Sequence, residues 1–148
     1  MGIKKFTLIS NKIIYGLEPA YDEEVGQRLT INRKGQVWFI GYKYGDRNGK
    51  APVARKKQLT IDKDTVTEIL SLLSQYLEEN GQLTLDSLIS DVGNWSLFIT
   101  ETAGIEKEFY GSLCEDYQAL GNTELSARIR EAAPIKDLFA FDGNPYNK

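Results

Sequence analysis

The sequence predicts an α+β domain in which two β-hairpin–helix units build an antiparallel sheet packed by an amphipathic helix. Three observations carry this expectation. Residues 27–44 alternate polar and apolar side chains around a glycine turn, as a hairpin does. Residues 95–113 repeat that pattern. Between them, Val66, Ile69, Leu70, Leu73, Tyr76 and Leu77 recur at helical spacing.

The elements follow in chain order. Phe6-Thr7-Leu8-Ile9 and Ile13-Ile14-Tyr15 are short apolar runs suited to a first strand or hairpin, and Tyr21-Asp22-Glu23-Glu24 is acidic and expected to be exposed. Gln27 to Asn32 is a strand with period-two alternation, Arg33-Lys34-Gly35 a turn with Gly35 free to take positive φ, and Gln36 to Tyr44 the returning strand. Apolar residues of both parities in that strand suggest two partly covered faces. Gly45 to Pro52 is a polar loop, and Arg55 to Ile61 a further strand. The main helix starts at Asp62 or Asp64 as cap and stops at Asn80-Gly81. Leu83 to Val92 is ambiguous. Trp95–Thr100 and Ile105–Leu113 form the second hairpin around Glu101–Gly104, and Thr123 caps a second helix that Pro134 ends. Leu138-Phe139-Ala140-Phe141 reads as a terminal strand.

A chain of 148 residues suits one domain, with candidate halves 1–81 and 82–148. Leu29-x5-Gly35-x5-Gly41 and Phe98-x5-Gly104-x6-Gly111 share a layout that suggests a pseudo-repeat. Recurrence of a common hairpin–helix unit without duplication explains the same layout. The expected core contains Leu29, Ile31, Val37, Phe39, Val66, Ile69, Leu70, Leu73, Leu77, Phe98, Phe109, Ile129 and Phe139.

Composition excludes much chemistry. No histidine is present, which removes Ser-His-Asp and Cys-His catalysis and every histidine metal site. Cys114 is the only cysteine, so no intramolecular disulfide or CxxC pair can form. No cofactor or metal is expected. No run of about 18 apolar residues exists to span a membrane. The lone thiol and the lack of a leader-like apolar region after Met1 suit a cytoplasmic protein.

Several pieces resemble those of small bacterial proteins of unknown function, chiefly from Firmicutes. They are Arg28-Leu29-Thr30-Ile31, Gln36-Val37-Trp38-Phe39, Gly93-Asn94-Trp95, Phe109-Tyr110-Gly111-Ser112-Leu113-Cys114 and Leu138-Phe139-Ala140-Phe141-Asp142-Gly143. The resemblance spans most of the chain from about residue 28. It implies a bacterial cytoplasmic origin and brings no activity with it.

Charge is the most informative functional signal. The net charge is −3, yet residues 33–57 hold eight basic residues and one acid, net +7. The other 123 residues hold ten basic and twenty acidic ones, net −10. The candidate partner-binding set is therefore Arg33, Lys34, Trp38, Tyr42, Lys43, Tyr44, Arg47, Lys50, Arg55, Lys56 and Lys57. Aromatic anchors among cations suit an acidic protein partner or self-association. Nucleic acid would use the same features and is the less favoured partner. A plainer arrangement makes the aromatics core and the cations a solvated rim.

Three weaker constellations point to enzymes. Glu101, Glu106, Glu108, Glu115 and Asp116 could gather as acids, but Glu106 and Glu108 alternate as a solvent-facing strand edge does. Ser112 and Cys114 have no recognisable base. Gly41, Gly45 and Gly49 lack phosphate-loop spacing. The sequence thus favours a non-enzymatic interaction module.

Overall fold

The computed structural model describes residues 2–11, 23–45, 52–80, 94–112 and 122–141. Six antiparallel strands and two helices make an α+β fold. The elements are β1 (Ile3–Asn11), β2 (Glu24–Asn32), β3 (Gln36–Lys43), β4 (Val53–Thr60), α1 (Lys63–Asn80), β5 (Asn94–Glu101), β6 (Glu106–Ser112) and α2 (Asn122–Ala132). The sheet order is β4-β3-β2-β1-β5-β6. Four meandering strands precede α1, and the β5–β6 hairpin precedes α2. The hairpins β2–β3 and β5–β6 flank β1, which pairs with β2 on one side and β5 on the other. The expected strand at Ile13–Tyr15 and the ambiguous stretch Leu83–Val92 lie outside the described residues.

Alternation fixes one inward face. Phe6 and Leu8 of β1, Leu29 and Ile31 of β2, Val37 and Phe39 of β3, and Trp95, Leu97 and Ile99 of β5 are all buried. Val66, Ile69 and Leu73 of α1 and Leu125 and Ile129 of α2 complete one core with them. Each such side chain contributes about 1.5–3 kcal/mol on burial. Asp62 is the cap of α1: its Oδ1 accepts the Thr65 backbone N–H at 2.8 Å. That bond, with the Thr65 hydroxyl, holds the Asp62 carboxyl below its ordinary range. Among the described residues, no helix is long and apolar enough to cross a membrane.

The turn between β2 and β3 needs glycine for two reasons. Gly35 has φ 90°, and a Cβ there would collide with the Ile61 carbonyl oxygen. That close approach lets the Ile61 N–H donate to the Gly35 carbonyl at 2.8 Å, joining the turn to the lead-in of α1. Asn32 Oδ1 accepts both the Lys34 and Gln36 backbone N–H groups, each at 3.0 Å.

Two expectations are corrected here. Leu138–Phe141 is not a strand. Asp137 (φ 57°) just before the run and Ala140 (φ 49°) within it are left-handed, which breaks the extended backbone. Phe98 is not core, because the parity that buries Leu97 and Ile99 turns Phe98 outward. Phe109 is only half-buried.

The 136–141 segment is held by side chains rather than by a ladder, with Leu138 to Phe141 buried. Arg55 Nη2 donates to the Lys136 carbonyl at 2.6 Å. Gln27 Nε2 donates to the Asp137 carbonyl at 2.8 Å, and Gln27 Oε1 accepts the Phe139 N–H at 2.7 Å. Arg130 donates to the Leu138 and Phe139 carbonyls at 2.9 and 2.8 Å. Ser10 Oγ donates to the Ala140 carbonyl at 2.8 Å, and Ser126 Oγ accepts the Phe141 N–H at 3.1 Å. The Phe141 ring then packs edge-on against Trp95 at 4.9 Å and tilted against Tyr76 at 5.5 Å.

Glu24 braces this arrangement. Its carboxylate lies across Gly41, where a Cβ would collide with Oε1, and takes two hydrogen bonds from Arg55 at 2.7 and 2.8 Å. Arg55 also sits 4.9 Å from the Phe39 ring centroid.

Substitution weighs two of these contacts. Gln27→Leu leaves the Asp137 carbonyl and Phe139 N–H without that partner and lowers stability by about 3 kcal/mol, read from the midpoint of urea unfolding. Gly35→Ala costs at least about 2 kcal/mol in the same measurement, from the left-handed backbone and the Ile61 clash together.

Candidate functional site

The helices and the 136–141 segment cover one face of the sheet, and the opposite face carries the candidate site. Its residues follow from the register. One row across the strands is Gln58, Trp38, Thr30, Thr7, Phe98 and Glu108. The next is Lys56, Ile40, Arg28, Ile9, Ser96 and Tyr110. Trp38, Phe98, Ile9 and Tyr110 keep 37, 36, 40 and 45% of their surface exposed. Large apolar side chains sharing one open surface mark an interaction site far better than the same residues scattered.

The face has relief. Trp38 on β3 and Phe98 on β5 are three strand intervals apart, about 14 Å. Between them the floor is Thr30 and Thr7, whose hydroxyls hydrogen-bond at 3.0 Å. The result is a shallow trough with aromatic walls and a small-residue floor. A hollow of about 510 Å³ adjoins it on the β5–β6 side, lined by Lys5, Thr7, Phe98, Thr100, Glu106 and Glu108.

The face carries charge of both signs, with Lys5 exposed on the central strand β1. Lys56 on β4 and Arg28 on β2 are exposed in one half. Glu106 and Glu108 on β6 are exposed in the other. Tyr110 donates its hydroxyl to Glu108, which raises the Tyr110 pKa above its ordinary value.

The partner-binding set read from the sequence is divided over several places. Trp38, Tyr42 and Lys56 lie on the open face. Tyr42 is half-buried, as are Lys43 and Tyr44 at the end of β3. Arg33 and Lys34 are exposed in the β2–β3 turn. With Lys4 and Lys63 they line a separate hollow of about 610 Å³ at one end of the sheet. Arg55 faces the helix side, bound to Glu24. Lys57 shares that parity at the exposed sheet edge. Arg47 and Lys50 lie outside the described residues, as do Cys114, Glu115 and Asp116. Glu101 is drawn away from Glu106 and Glu108 by an ion pair with Lys107 at 3.1 Å. Among the described residues, no three acid, cysteine or histidine side chains gather to hold a metal ion.

Ile9, Arg28, Phe98 and Tyr110 are not among the sequence candidates. Their parity is readable within each strand, but their meeting depends on β1 lying between β2 and β5. No local signal encodes that order.

The Tyr110–Glu108 contact gives a direct check on this face. Glu108→Gln returns the Tyr110 ionisation toward the ordinary tyrosine value, followed by NMR of ring-labelled tyrosine across alkaline pH. No protein-family model matches this chain, and no curated protein matches it either.

Proposed function

We propose that this chain is a non-enzymatic protein-interaction module that receives its partner on the open face of the sheet. The observation that carries this reading is the exposure of Trp38, Phe98, Ile9 and Tyr110 together on one sheet surface that none of the described helices or segments covers. Trp and Tyr are the side chains that most often anchor interfaces, because each removes a large apolar area from water at small entropic cost. Lys56 beside them favours an acidic patch on the partner, whether another protein or a second copy, and Arg28 favours one on a different protein. Nucleic acid is the less favoured partner, since Glu106 and Glu108 share the face and repel phosphate.

Site-specific photo-crosslinking in the producing cell tests the reading, because the crosslinker reacts with whatever protein occupies the face. A benzoylphenylalanine at Ile9 on the open face gives a discrete adduct. The same group at Glu78, exposed on α1, gives none. Trp38→Ala reduces the Ile9 adduct, with a loss of affinity of about ten-fold or more. Equal labelling from both positions, or an adduct indifferent to Trp38→Ala, overturns the reading.

A further inference from the structure

We infer that the occupant of the open face is a second copy of this chain, packed face to face about a two-fold axis running along the strands. The inference rests on the reading above that this face is an interaction surface.

Symmetry and register select the arrangement. Two copies that meet by one face with their strands aligned can be related by a two-fold axis lying between the sheets, either along the strands or across them. An axis across the strands lays β4 on β4 and β6 on β6. Lys56 then faces Lys56, and Glu106 and Glu108 face their own copies. An axis along the strands, between β1 and β2, keeps each row at its level and exchanges the two halves. β4 then lies over the partner copy's β6, β3 over β5, and β2 over β1. Lys56 comes beside the Glu108 and Tyr110 positions. Trp38 comes over the Phe98 position in the same row, twice per pair. The Thr7–Thr30 floor meets itself, and its small side chains let the sheets approach. Only this axis pairs opposite charges and stacks the aromatic walls together, near the roughly 10 Å separation and slight rotation usual for packed sheets.

The size is adequate. Six strands at about 4.8 Å spacing and about seven residues of strand at about 3.3 Å give a planar footprint on the order of 550 Å². Side-chain relief raises the accessible area toward the roughly 800 Å² per partner of stable interfaces. A purely acidic partner fits less well, because it meets Glu106 and Glu108 over the β6 half.

One residue gives the two-fold a signature. Arg28 lies on β2, next to the axis, so the arrangement brings it close to its own counterpart. Arg28→Thr therefore tightens a symmetric pair, whereas it weakens binding of an acidic partner.

Sedimentation velocity over a concentration series tests the inference with the full chain. The protein is expected to pass from monomer to dimer. Lys56→Glu alone and Glu108→Lys alone each weaken the dimer about ten-fold, because both symmetric contacts become repulsive. An equimolar mixture of the two variants restores association as a heterodimer. Arg28→Thr shifts the wild-type transition to lower concentration. A monomer at every concentration, a dimer insensitive to the exchanges, or weakening by Arg28→Thr overturns the inference. Growth past the dimer also overturns it, being the signature of β4 of one copy adding edge-on to β6 of the next. If association between copies fails while the Ile9 crosslinker captures a different protein, the two-fold falls and the interaction reading stands. If both fail, both fall.

Discussion

The 136–141 segment has no ladder of its own, and the interior of the fold is organised around that fact. Its backbone groups are taken up by side chains from β1, β2, β4 and α2. Among the described residues, the buried polar side chains are Ser10, Gln27 and Ser126, and each one is bonded to this segment. Buried polar groups in an apolar core are costly unless matched. Here the match runs both ways: the segment satisfies the serines and the glutamine, and they satisfy it. Phe141 is thereby held between α1 and β5, and one end of the core is sealed.

Among the described residues that seal is on one side only. Both helices and the segment pack against the same sheet face, so among the described residues the other face is left to the strands' outward parity. A sheet with one dry and one wet face ordinarily carries polar side chains outward. Thr7, Thr30, Gln58 and Ser96 obey this. Trp38, Ile9, Phe98 and Tyr110 do not, and nothing in the packing of the core accounts for them. Gly41 shows the opposite economy on the inward face. Its missing side chain is where the Glu24 carboxylate reaches Arg55, so the β2–β4 connection across β3 depends on an absence.

Much of the fold is legible in the sequence because it is local. The spacing of Val66, Ile69, Leu70 and Leu73 specifies α1 whatever surrounds it, and Gly35 marks its turn by its own stereochemistry, whereas the sequence leaves Asp62 and Asp64 both open as the cap. The β2–β3 and β5–β6 hairpins are readable for the same reason. The terminal run Leu138–Phe141 misleads because four apolar residues satisfy a strand pattern equally well. What decides against a strand is the left-handed backbone at Asp137 and Ala140, held by partners as distant in sequence as Ser10 and Gln27. The candidate site is legible by half. Trp38, Tyr42 and Lys56 stand out through their own segment. Arg55 stands out with them but spends its charge on Glu24. Phe98 reads as core as long as its strand is taken without the faces of its neighbours.

The segment's dependence on the earliest strands carries a consequence for synthesis. A ribosome makes β1 and β2 long before residues 136–141, so a nascent chain carries Ser10 and Gln27 without their backbone partners until translation has passed Phe141. A hydrophobic collapse completed earlier would bury those groups unmatched. Cooperative closure of the core is therefore a post-emergence event, and nascent chains stalled before that point are natural substrates for chaperones and proteases.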